Sequence, residues 1–320
     1  VNCLLKDESG NLWIGTERGG VDYYNTSQNQ IEHYEHHSDE PNSLSVSTIN
    51  SIYEDDRYLW IGTAGGGLNR YNKSTGNYRH FRYDPNSEDA ISSDFVTVIE
   101  RDAQKRLWVG TWGAGLNILN EATGTFERHQ ARPGMVNQFV SSLAIDKRSN
   151  LWIGTLGGIS RYNTREDTYE VIFSDQTATR INNVGCLLFD EANSLWVGSR
   201  YGLYHLESSD GFMDDIQVTH FVHNDKDPNS ISGNYVISIH QDQQGTIWVG
   251  TYGQGINKMI RQKQSVVFES FGTSDGLSNT VIYGIEEDAE GNLWLSTDYG
   301  LSRVNTETRV VRNYFKADGF

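Results

Sequence analysis

The sequence predicts an all-β chain folded as a seven-bladed β-propeller of four-stranded antiparallel blades, and three observations carry that prediction. First, the pentad LWIGT at residues 12–16 returns six times: at 59–63, 107–111 (LWVGT), 151–155, 195–199 (LWVGS), 247–251 (IWVGT) and 293–297 (LWLST). Seven of the eight tryptophans (Trp13, Trp60, Trp108, Trp152, Trp196, Trp248 and Trp294) stand at its second position. Second, an aspartate precedes every copy: Asp7, Asp55, Asp102, Asp146, Asp190, Asp242 and Asp288, at intervals of 48, 47, 44, 44, 52 and 46 residues. Periods near 40–50 residues signal propellers or solenoids. Third, each repeat divides into four short, strand-like segments without helical periodicity. Four strands per repeat favour a propeller over an open β-solenoid. The expected blades cover approximately 1–48, 49–95, 96–139, 140–183, 184–235, 236–281 and 282–320, one domain in all.

The first segment places apolar residues six and three before the aspartate, as in Ile49/Ile52, Val96/Ile99 and Val236/Ile239. That spacing breaks strict alternation, and the expected reason is burial on both faces, where alternation is not required. An aspartate-led turn follows, as in DESGN at 7–11 and DAEGN at 288–292. Its carboxylate is expected to cap backbone N–H groups, with Gly three residues later closing the turn. The second segment is the pentad, whose indole, burying about 150–250 Å², is expected to fill the gap between adjacent blades. The third segment opens on a glycine and an aliphatic (Gly67-Leu68, Gly115-Leu116) and in most copies ends in Asn: Asn25, Asn72, Asn120, Asn163 and Asn305. The fourth is more polar, as an edge strand should be. An acidic insertion at 207–217 accounts for the longest interval and is expected to be a solvated hairpin tip. No strand is left over to clasp the array, so closure is expected from face packing or flanking sequence. Val1 falls inside a repeat and ADGF at 317–320 matches SDGL at 274–277, so the natural protein is expected to continue beyond both ends.

Formal net charge is −16 and mean hydropathy −0.56. An acidic chain is a poor partner for phosphate backbones, which argues against nucleic acid. No run of about 18 apolar residues marks a membrane helix. Cys3 and Cys186 occupy equivalent positions in repeats one and five and are expected to be free, buried thiols.

The pattern D-x-x-G-x-LWIGT-x-x-GGL-x-RYN, followed by T-G-x-F and later PNSLS, resembles the two-component regulator propeller repeat. Residues 7–25, 55–72 and 146–163 show it, with PNSLS at 41–45, PNSIS at 228–232 and a looser form at 85–92. The resemblance covers the whole chain. It implies the periplasmic sensor region of a membrane-bound, often hybrid, histidine kinase. Partners implied are an oligosaccharide from polysaccharide breakdown, a neighbouring propeller, a β-sandwich domain and a second copy in a homodimer. Two departures bear on blade regularity: Ser296 stands where the pentad has Gly, and repeats five and six lack the RYN ending.

Propellers bind ligands where loops converge at one end of the blades. Two loop sets share that end: those between strands two and three, and those leading from strand four into the next blade. The residues after the pentad vary while the scaffold does not. Trp112, Tyr201, Tyr252, Tyr299, Arg18 and Arg200 are therefore the candidate ligand-binding residues, since aromatic faces suit sugar C–H surfaces and polar groups suit hydroxyls. The opposing expectation is that they pack the channel mouth. His33, His36 and His37 lack metal-site geometry and read as a solvated edge, and the turn aspartates lack the alternating oxygen ligands of a calcium loop. No catalytic motif, cofactor site or metal site is predicted. The expected role is ligand sensing without catalysis by this segment. The alternatives are a carbohydrate-active hydrolase or lyase, or a structural or dimerisation module with ligand bound elsewhere.

Overall fold

The computed structural model describes residues 1–130, 132–208, 215–263 and 265–319. It contains seven four-stranded antiparallel sheets, each built from four consecutive strands in chain order, the expected seven-bladed β-propeller. Blade one comprises Cys3–Lys6, Leu12–Gly15, Val21–Asn25 and Gln30–Tyr34. The strands of blades two to seven fall within 49–81, 96–129, 140–174, 184–221, 236–271 and 282–314. Among the described residues helix is limited to two single 3-10 turns, Thr273–Asp275 and Lys316–Asp318, each closed by a glycine in the left-handed region. The SDG and ADG segments at 274–276 and 317–319 thus share a conformation. The chain forms two compact units. One holds blades one to four (residues 2–145 and 149–182), the other blades five to seven with Val1 and residues 146–148.

The turn aspartates do more than cap. One oxygen of Asp242 accepts the N–H groups of Gln244 at 3.0 Å and Thr246 at 2.7 Å, and the other accepts the Trp248 indole N–H at 2.8 Å. Trp60, Trp108, Trp196 and Trp294 make the same bond to Asp55, Asp102, Asp190 and Asp288 at 2.8–3.0 Å. The turn is thereby tied to the ring that fills the inter-blade space. Trp60 packs against Val96, Leu107 and Val109 of blade three. Trp108 packs against Val140 and Ile153 of blade four. Trp248 packs against Ile282, Leu293 and Leu295 of blade seven. All seven pentad indoles are at most 4% exposed, as a wedge between sheets requires.

The pentad glycine is a close-approach position. A Cβ on Gly62 would stand 2.3 Å from the Ser51 hydroxyl and 2.6 Å from Val96 Cγ1 of the next blade. Where Ser296 replaces that glycine, its cross-strand partner is Gly284, so the missing side chain has moved to the neighbouring strand and blade seven keeps all four strands. Blades five and six likewise keep regular third strands, Gly202–Ser208 and Ile256–Arg261, without the RYN ending.

The three-residue spacing in the first strands has a different cause from the one expected. In blades two to seven a β-bulge interrupts the pairing, as between Ile49 and Ser51. One extra residue shifts the alternation by a step, so residues three apart share a face. These strands are mostly half-buried rather than buried on both faces. Cys3 and Cys186 are free but partly buried as residues. Burial pushes both thiols up to about 12. Of the 207–217 insertion, residues 209–214 lie outside the described residues, and the flanking segments extend the third and fourth strands of blade five.

Glu100, in the first strand of blade three, is held up near neutrality at about 7, because burial penalises its charge more than the Arg101 N–H bond favours it. The folded chain therefore binds this proton more tightly than the unfolded chain, and stability falls as pH rises from 4.5 to about 7. Glu100→Gln should leave stability below pH 4.5 unchanged and raise it above pH 7 by roughly 1–2 kcal/mol in denaturant titrations. A second comparison tests the indole clasp. Trp248→Phe should destabilise by about 1–2 kcal/mol more than Trp13→Phe, because only the former strips a donor from a buried carboxylate.

Candidate functional site

The loops between strands two and three come in two forms, and the candidate residues divide between them. In blades two, three and six the pentad threonine turns its hydroxyl onto the carbonyl of a glycine four residues on, at 2.8 Å. Trp112 and Tyr252 sit just inside such loops, each followed by a glycine at positive φ, Gly113 at 91° and Gly253 at 100°. That backbone reversal leaves the preceding ring projecting outward. In blades five and seven the loop is a residue shorter. There Tyr201 and Tyr299 return their N–H groups to the Ser199 and Thr297 hydroxyls at 2.9 and 3.0 Å.

Each longer loop is stitched to the segments that enter two successive blades. The Trp112 N–H donates to Phe95 O at 3.0 Å and the Gly113 N–H to Gln138 O at 3.2 Å. Trp112 also forms an isolated bridge with Phe139, and their rings meet edge to face at 5.2 Å. The Tyr252 N–H donates to Tyr235 O at 2.8 Å, and the two rings lie 5.2 Å apart. The Arg200 guanidinium stands 5.9 Å from the Tyr235 ring centre.

Within blades five to seven the structure therefore assembles Arg200, Tyr235 and Tyr252 into one row. Tyr299 packs on Phe315 instead, at 5.1 Å, and the Tyr201 carbonyl pairs with the His220 ring at 3.0 Å. Within blades one to four, Phe95, Trp112 and Phe139 form a second cluster. Arg18 stands at the exposed tip of the blade-one loop, whose Glu17 carbonyl accepts the Thr48 hydroxyl at 2.6 Å.

Phe95, Phe139 and Tyr235 were not among the sequence candidates. The available signal was position: each directly precedes the first apolar residue of a first strand (Val96, Val140, Val236), where the core has no use for an aromatic. Exposure confirms that these rings are not core. Among the described residues, nine of eleven exposed large hydrophobic side chains belong to these two loop sets. His33, expected on a solvated edge, pairs with Asp22 at 2.7 Å, and His36 bonds the Leu44 carbonyl at 2.6 Å.

The two-component regulator propeller model matches residues 1–18, 90–113, 134–157, 230–253 and 276–299. Those five segments are similar to the two-component regulator propeller repeat. Four of the matched segments run from the segment entering a blade through its pentad to the loop beyond, the same stretch that builds the aromatic rows. The chain is similar to histidine kinase P4 of Formosa agariphila, with 26% identity over 187 residues, 56% of this chain and 13% of that protein. It thus spans a small part of the length of that relative. By fold it is similar to virginiamycin B lyase from Staphylococcus aureus, with a TM-score of 0.61 and 13% identity over 82% of this chain and 83% of the other. It is also similar to PorZ, a bacterial surface component of the type-IX secretion system of Porphyromonas gingivalis. There the TM-score is 0.61 and identity 15%, over 96% of this chain and 46% of PorZ.

Trp112 is 44% exposed, whereas the pentad tryptophans are buried. N-bromosuccinimide titration of the native protein should oxidise one tryptophan rapidly. Trp112→Phe should abolish that fast phase while leaving the slow remainder intact.

Proposed function

We propose that this chain is a ligand-sensing extracytoplasmic propeller segment of a two-component sensor histidine kinase, and that its ligand is an oligosaccharide. The observation that carries the reading is the concentration of exposed aromatic rings, with Arg200 beside them, at the loop end of the blades. Kinship with a histidine kinase and the regulator repeats support the sensor assignment. Sugars present C–H faces that stack on tyrosine and tryptophan, and hydroxyls that accept from a guanidinium.

The sensing step is a difference in affinity. A bound oligosaccharide shifts the receptor only if it binds one packing arrangement of the neighbouring propeller, β-sandwich or dimer mate more tightly than another. A periplasmic location follows from the same reading, because polysaccharide fragments arrive from outside.

Isothermal titration of the purified chain against a panel of plant, algal and host oligosaccharides tests the proposal. A saturable heat with one sugar class is expected, and Tyr252→Ala or Trp112→Ala should weaken it by about tenfold, the equivalent of roughly 1.4 kcal/mol. Flat traces across the panel would assign the ligand to another part of the receptor. New reducing ends on incubation would show a hydrolase or lyase instead.

A further inference from the structure

At the other end of the strands, near the aspartate turns, the pentad indoles of six blades each carry a cation, drawn from the same blade in five of them and from blade six for Trp196. Arg70, Arg106, Arg161, Arg261, Lys258 and Arg303 stand 5.1–6.0 Å from the rings of Trp60, Trp108, Trp152, Trp196, Trp248 and Trp294. Four of these cations come from the third-strand residue paired with the tryptophan: Arg70, Arg161, Lys258 and Arg303. Blade one departs from the pattern. Its register partner is Tyr23, whose ring lies 4.3 Å from that of Trp13 with the planes tilted by 39°, and among the described residues no cation stands on that indole.

Two further features separate blade one from the rest. The Tyr23 hydroxyl and the Asn11 amide occupy the Asp7 oxygen that would otherwise accept the indole N–H, at 3.2 and 3.0 Å. Trp13 Nε1 is left buried without a partner, on a side chain only 4% exposed. Beyond the rings lies a cavity of about 520 Å³ between blades one and two, lined by Trp13, Tyr23, Tyr34 and Tyr71. Five carboxylates line it against one ammonium, that of Lys73, which is paired with Glu54 at 2.8 Å. Burial, together with the carboxylates of Asp7, Glu54 and Glu32, pushes the Tyr23 hydroxyl up to about 12, so it stays neutral. The cavity thus offers aromatic faces and surplus negative charge. That combination selects a guest with a positive charge.

We propose that this cavity binds a small organic cation, an alkylguanidinium or alkylammonium. The charged head rests on the rings of Tyr23 and Tyr34 near Asp7. The guest supplies from solution what the other six blades supply from their own chain. The inference does not depend on the oligosaccharide reading of the loop end.

Calorimetric titration with L-arginine amide, and with citrulline amide as its neutral counterpart, tests this. Arginine amide should give a saturable heat that weakens as salt is added, and citrulline amide should bind at least about tenfold more weakly. Tyr23→Arg should abolish binding by filling the cavity from within, with an unchanged circular dichroism spectrum, since other blades carry Arg at this register. Asp56→Lys, at an exposed turn position on the cavity rim, should weaken binding by about fivefold without touching the core. Equal binding of citrulline amide, full binding by either variant, or no saturable heat with arginine amide overturns the proposal. Binding of a capped arginine peptide but not of arginine amide also overturns it, because the site would then read a polypeptide rather than a small solute.

Discussion

A carboxylate that holds a turn and an indole at once is the interaction on which this structure depends. In five blades the turn aspartate caps backbone N–H groups with one oxygen and takes the pentad indole N–H with the other. The bond lets a large ring be buried without orphaning its polar atom, and it fixes the ring's orientation against the next sheet. Asp288 shows the cost balance. Burial alone would raise its pKa, yet bonds from Asn292, Arg303 and Trp294 hold it below the ordinary carboxylate value. At Asp288 the clasp is therefore formed with an ionised carboxylate, which makes its hydrogen bonds charge-assisted.

A second set of contacts seats the segments that lead from blade to blade. The serine ending PNSLS donates its N–H to Asn69 Oδ1 at 2.9 Å, and the Asn69 amide returns a bond to Ser45 Oγ at 2.8 Å. Ser92 with Asn117, and Ser232 with Asn257, repeat the exchange. Leu44, Ile91 and Ile231 are buried just before these serines. Connectors anchored this firmly can carry projecting rings at Phe95 and Tyr235 without losing register. The anchoring serine stands three residues before the projecting ring in both connectors, Ser92 before Phe95 and Ser232 before Tyr235, an arrangement suited to altering the loop surface without altering the fold.

The two ends of the blades consequently carry different chemistry. The loop end is aromatic with scattered arginine. The turn end is acidic, and its carboxylates are largely spent on turns, indoles and arginines. Blade one breaks that balance because Tyr23 replaces a cation, leaving both a donor and negative charge unspent. A single substitution in an otherwise repeated register thus changes a structural contact into a receptive surface.

The amino-acid sequence by itself determined blade number, strand order and the burial of the seven indoles, because those follow from local patterns repeated at a fixed interval. It also marked the two loop sets that bear Trp112 and Tyr252, since variation beside an unvarying pentad is visible without coordinates. Only the tertiary structure decided the rest. The β-bulge behind the Ile49/Ile52 spacing depends on cross-strand register. The Asp–Trp clasp, the Ser–Asn exchange and the pairing of Gly284 with Ser296 join residues whose meeting is set by hairpin and blade geometry. The grouping of Arg200 with Tyr235 and Tyr252, to the exclusion of Tyr299, likewise depends on loop length and the path into the next blade. Local sequence encodes which backbone forms, whereas proximity between side chains on different strands exists only once the sheets have packed.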